Sequence, residues 1–123
     1  MRAEEEDYLT GLPARRGFVR CFGQLPADSR VTIFYIDLDN FKTVNDVYGH
    51  NVGDNVLRSV ARLFAHRPDI AFAARMGGDE FALVSTTILQ RAQAEHLMGG
   101  LFASIRGRLP RTRRTCCRTA AAR

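Results

Sequence analysis

The chain is poor in cysteine, and its cysteines form no pattern. Cys21, Cys116 and Cys117 are the only three in 123 residues. Their spacing matches neither a disulfide framework nor a zinc site, which needs a cluster of four His or Cys ligands, so ordinary reduced thiols are expected. No apolar run approaches the ~20 residues of a membrane-spanning helix, and no membrane span is expected. The opening Met1-Arg2-Ala3-Glu4-Glu5-Glu6 is acidic and lacks the apolar core of a secretory signal, which points to a cytoplasmic protein. Lysine occurs once, as Lys42. Acidic residues are missing from one stretch altogether: residues 106–123 hold seven of the eighteen basic residues and no Asp or Glu. Without that stretch, eleven basic side chains face thirteen acidic ones, so the net charge of +5 belongs to the tail and the body is mildly acidic. An Arg-rich tail can hold nucleic acid or anionic lipid. Its low complexity, few large apolar residues and lack of periodicity favour disorder instead, and nucleic acid is not an expected partner.

The remaining composition is that of one globular domain, with 46% hydrophobic residues. We place it at residues 1–106, with a basic tail at 107–123. Glu4 to Leu9 reads as the end of a helix, Thr10-Gly11-Leu12-Pro13 as a turn, and Pro13 suits a first helical position. Phe18, Val19, Phe22 and Leu25 form a helical stripe. Val31 to Asp37 is a β-rich run, apolar but for Thr32, as in a strand covered on both faces. Asn40 to Val47 reads as a short helix with Val44 and Val47 inward, followed by a turn at Tyr48-Gly49-His50-Asn51. Val56, Leu57, Val60, Ala61 and Phe64 restore helical spacing until Arg67-Pro68. Ile70–Met76 and Phe81–Val84 flank Gly77-Gly78 as a β-hairpin. Ile88 to Leu109 reads as a further helix. The succession strand, helix, strand, strand, helix is an α/β sheet with helices packed on it.

The chemistry is concentrated in two places. Asp37-Leu38-Asp39 closes the first strand, and Asp79-Glu80 occupies the hairpin tip. Carboxylates at the end of one strand and the tip of another can converge on hard divalent cations, which prefer oxygen ligands. Such metals support in-line phosphoryl or nucleotidyl transfer.

With these residues in view, the chain resembles the GGDEF domains of bacterial diguanylate cyclases, which condense two GTP molecules into cyclic di-GMP. Gly77-Gly78-Asp79-Glu80-Phe81 carries the likeness together with Asp7-Tyr8-Leu9-Thr10-Gly11-Leu12-Pro13, Asp37-Leu38-Asp39-Asn40-Phe41-Lys42, Asn45-Asp46, Tyr48-Gly49-His50 and Gly53-Asp54-Asn55-Val56-Leu57. Several motifs in order and at matching spacing, over roughly residues 7–90, are far more specific than one pentapeptide.

The resemblance implies the palm-like nucleotidyl-cyclase sheet flanked by helices, without its C-terminal strand and helix. It implies Mg²⁺ or Mn²⁺ as cofactor, GTP as substrate, and a homodimer in which each chain presents one GTP to the other. Metal ligands would be Asp37, Asp79 and Glu80, with the Leu38 carbonyl. Asp37, Asp79 and Glu80 would also be catalytic, Glu80 as a ligand or as a helper in deprotonating the 3′-hydroxyl. Asp39 matches a second family carboxylate but could equally organise its loop through Asx hydrogen bonds. Asn45 and Asp54 would read guanine, through donors and acceptors that suit its edge. For Asp54 a helix N-cap competes with that role. Phe41 and Lys42 would lie at the phosphates, and Gly77 and Gly78 would let the nucleotide approach the backbone. Arg75 precedes the tip and could pair with a carboxylate, while His50 reads as a turn residue.

Departures from the family also carry consequences. The inhibitory product motif, Arg-x-x-Asp, is replaced by Pro68-Asp69-Ile70-Ala71, so feedback through it is not expected. Ala14 stands where the family usually has Asn. The family's phosphate-holding lysine and Gly-Arg-Asn stretch have no counterpart. A non-catalytic GTP-binding or interaction module, or an inactive remnant, is therefore the alternative to a diguanylate cyclase.

Overall fold

The computed structural model describes residues 3–38, 41–68, 70–85, 90, 92–93, 95–96, 99 and 114–121. Its elements are α1 (Arg15–Gly23), β1 (Arg30–Asp37), α2 (Phe41–Tyr48), α3 (His50–Ala65), β2 (Ile70–Arg75), β3 (Glu80–Ser85) and β4 (Arg114–Ala121). The strands form one antiparallel sheet in the order β2-β3-β1-β4. The expected helix over Ile88–Leu109 lies largely outside the described residues, as do Asp39, Asn40 and Asp69.

Strand alternation explains how the layers close. Phe81 pairs with Ile36, whereas Val84 pairs with Ile33 and Phe72. An odd separation along β3 puts these two sets on opposite faces. On the Phe81 face lies α3, with the Phe64 ring edge-on to Phe81 at 5.6 Å. Phe34, Ile36, Leu57, Val60, Phe64 and Leu83 fill the core between them. On the other face lies α1, where Phe18 meets Phe72 edge-on at 5.7 Å. Covering on both faces, expected for Val31 to Asp37, is met instead by β3, where Phe81 through Ser85 are all buried. In β1, Phe34 and Ile36 are buried while Ile33, Tyr35 and Asp37 stay partly exposed. The ring packing of α1 falls on β2, two strands away.

Several local expectations change in three dimensions. Among the described residues before α1, only Ala3–Glu5 forms a helical turn, of the 3-10 type. Pro13 is not in the helix: it bridges to Glu6, and Ala14 is the N-cap. Val47 is exposed rather than inward, because α2 buries Phe41 instead. The turn between α2 and α3 narrows to Gly49, whose φ of 89° is readily reached only without a Cβ, and His50 and Asn51 belong to α3.

Part of the basic tail lies beside β1. Arg114–Ala121 runs antiparallel to β1, from Asp37↔Arg114 to Arg30↔Ala121. A β1 edge left open would expose a row of unpaired N–H and C=O groups, and pairing them needs only backbone, whatever the side chains.

Candidate active site

Asp37 is the last residue of β1 and Glu80 the first of β3, and they stand directly opposite each other in the ladder. Directly opposed residues project from the same face, so these two carboxylates share a face at the sheet's end. The pairing continues one step further, as the Leu38 amide donates to the Asp79 carbonyl at 3.0 Å. Asp79 is thus held beside Leu38, and the Asp37-Leu38 and Asp79-Glu80 dipeptides are zipped together. Leu38 turns its side chain into the core, leaving its peptide at the site.

The hairpin tip is built around Glu80 and Arg75. Met76 and Gly77 amides donate to the Glu80 carbonyl at 2.8 and 3.4 Å. A Cβ on Gly77 would lie 3.0 Å from Glu80 Oε2, while one on Gly78 would meet nothing within 4 Å. Neither glycine has a positive φ among the described residues. Gly77 therefore makes room for a carboxylate, and Gly78 leaves open space. From β1, the Tyr35 hydroxyl donates to Glu80 Oε2 at 2.9 Å. Burial raises the Tyr35 pKa, and so do the hydrogen bond to Glu80 and the charges of Glu80 and Asp37; the Arg15 charge opposes them.

Arg75 ties this tip to the N-terminal turn. Its Nη1 pairs with both Asp7 oxygens at 3.1 Å, and Nε and Nη2 donate to the Gly77 and Gly78 carbonyls at 2.9–3.2 Å. The Arg75 amide donates to Pro13 O at 2.9 Å. Asp7 also accepts from the Thr10 hydroxyl at 2.6 Å and amide at 2.9 Å. Burial works to raise the Asp7 pKa, but these hydrogen bonds and the Arg75 charge outweigh it and hold the carboxyl below its ordinary value.

Asn45 lies on α2 and Asp54 on α3. Asn45 Oδ1 is buried without a hydrogen-bond partner. A Cβ on Gly53 would collide with it and would lie 3.2 Å from the Phe41 ring. Asp54 is the fifth residue of α3, so the N-cap reading fails: the cap position is Gly49. Lys42 is exposed on α2, while Phe41 is buried beneath it and packs in the core rather than reaching outward.

Among the described residues, no group of three or more His, Cys, Asp or Glu side chains forms a metal cage. Two opposed carboxylates still suit Mg²⁺. That ion keeps waters and is usually held by one or two carboxylates plus substrate phosphates, not by an all-protein cage. The oxygen-only donor set fits such a hard cation. No described helix is long and apolar enough to cross a membrane.

Sequence reasoning missed Tyr35, although its position two residues before Asp37 on a strand already placed it on the same face. Arg75 does pair with a carboxylate, as expected, and that carboxylate is Asp7, which the sequence offers only as part of a motif.

A family model described as "Diguanylate cyclase, GGDEF domain" matches residues 5–111. Diguanylate cyclase DgcN of Escherichia coli is 35% identical over 106 residues, covering 82% of this chain and 26% of that protein. Cyclic di-GMP phosphodiesterase PdeR of the same organism is 38% identical over 90 residues, covering 70% of this chain and 14% of that protein. The chain thus spans about a quarter or less of these relatives. The solved GGDEF domain of PA1120 (TpbB or YfiN) from Pseudomonas aeruginosa has a TM-score of 0.69 at 31% identity, covering 93% of this chain and 72% of that one. The sheet and the flanking helices are those of the palm-like α/β fold, and the chain belongs to the GGDEF domain family.

Proposed function

We propose that this domain binds GTP with a divalent cation at the β1–β3 strand ends and that two copies condense two GTP molecules into cyclic di-GMP. The observation that carries the reading is the direct opposition of Asp37 and Glu80. Asp37, Glu80, Asp79 and the Leu38 carbonyl would hold Mg²⁺ or Mn²⁺. When bound, the cation supplies charge neutralisation at the phosphates and acidifies the attacking hydroxyl. Asn45 and Asp54 receive the guanine: the Asp54 carboxylate accepts from N1–H and the 2-amino group, and the Asn45 amide serves O6 or N3. Gly78, open on its outer side, lets the triphosphate lie against the hairpin. Lys42 offers its charge to the phosphates, and Phe41 supports that segment from the core. In each half-reaction a 3′-oxygen attacks the α-phosphorus of the other GTP and pyrophosphate leaves. The hydroxyl proton passes to a carboxylate of the tip, Asp79 or Glu80. Facing copies are needed because each site presents one nucleotide.

A GTP-binding module without turnover is the second reading, favoured by the 38% identity to a protein named as a phosphodiesterase. Incubation of the folded chain with GTP and Mg²⁺, followed by chromatography, separates the two. Cyclic di-GMP that accumulates faster per chain at higher protein concentration supports the cyclase. GTP binding without product supports the module.

A further inference from the structure

Tyr35 stands opposite Ala82 in the β1–β3 ladder, and Glu80 is the diagonal neighbour two residues before Ala82. Diagonal neighbours across an antiparallel pair are within reach of an aromatic side chain, and Ala82 is too small to block the path. The Tyr35 hydroxyl spans that diagonal and donates to Glu80 Oε2 at 2.9 Å. Gly77 closes the other side, since even a methyl group there would sit 3.0 Å from the same oxygen. One oxygen of Glu80 is therefore bracketed between a phenol and a backbone turn.

We propose that Tyr35 is a positioning residue, which fixes Glu80 through Oε2 and leaves Oε1 for the cation that Glu80 shares with Asp37. The inference rests on the cation reading given above. A bond from a hydroxyl to an ionised carboxylate is among the stronger hydrogen bonds in proteins. It removes rotamer freedom that Glu80 would otherwise lose on capturing the ion. A tyrosine satisfying its own hydroxyl would make the same contact, so the test must read the effect on the ion.

Tyr35→Phe deletes only the hydroxyl and keeps the ring. Mn²⁺ binding to the full chain in the presence of GTP, followed by electron paramagnetic resonance, is expected to weaken about tenfold, the effect of losing one hydrogen bond to a charged group. The thermal midpoint should stay close to that of the unsubstituted chain. In a Glu80→Gln background, adding Tyr35→Phe should weaken Mn²⁺ no further. Equal Mn²⁺ affinity in Tyr35→Phe and the unsubstituted chain would overturn the inference alone. So would an undiminished tenfold loss in the Glu80→Gln background. If the unsubstituted chain takes up no Mn²⁺ with GTP, the cation reading falls and this inference falls with it.

Discussion

Gly53 has no room for a side chain, because a Cβ would run into Asn45 Oδ1 and press on the Phe41 ring. Gly53→Ala is expected to cost about 1–3 kcal/mol, as overpacking does, and to weaken GTP binding by displacing Asn45. Chemical denaturation and calorimetry with GTP would read the two effects separately. Gly78 is the converse case. Its outer side is open, so Gly78→Ala should change stability by less than about 1 kcal/mol while lowering GTP affinity. If GTP binding is untouched, Gly78 serves the turn alone. The residue scale is also where sequence was least complete. Glycines at 77 and 78 were legible as a turn, but their distinct reasons were not. Which atom a missing Cβ would meet depends on the rotamer of Glu80, three residues away in Gly77's case. Tyr35 was hidden among apolar neighbours because its role depends on a diagonal across two strands.

At the scale of elements, the β2–β3 hairpin is anchored to the N-terminal turn through Arg75 and Asp7. The pair is largely shielded, and removing one partner would leave the other charge shielded without its counter-ion. Asp7→Asn should destabilise the domain by about 1–3 kcal/mol near neutral pH. The pH dependence has a fixed sign. The folded Asp7 pKa lies below its ordinary value of 3.8, so its contribution is complete above that value and is lost as pH falls through the lowered folded pKa. An acid titration of the thermal midpoint should therefore be shallower in Asp7→Asn. A parallel acid limb would contradict the role assigned to the pair. The hairpin, α2 and the later part of α3 were legible in sequence because local periodicity and the glycines specify them. The start of α3 was not, since only Gly49's positive φ separates it from α2. Val47's exposure was likewise unforeseen, because which side of a two-turn helix is buried depends on its partner, here α3.

For the whole molecule, the sheet order β2-β3-β1-β4 makes β1 an interior strand. The meeting of Asp37 and Glu80 was legible from strand ends and motif spacing, whereas a carboxylate cluster that also takes in Asp79 is not formed among the described residues. The cover on β1 was not legible, because an Arg-rich, low-complexity segment shows no strand periodicity, while ladder pairing requires only backbone groups. Removing residues 114–123 should lower the thermal midpoint and promote concentration-dependent association through the exposed β1 edge, as sedimentation would report. An unchanged midpoint and a monomer at every concentration would show that β4 adds nothing to the sheet. The central claim concerns the two opposed carboxylates. It is tested most directly by calorimetric titration of GTP into the folded chain with and without Mg²⁺, beside Asp37→Ala. Binding that requires Mg²⁺ and vanishes in Asp37→Ala, with little change in thermal midpoint because like charges directly opposed oppose pairing, is the predicted result. Mg²⁺-dependent GTP binding of equal strength in Asp37→Ala would contradict it.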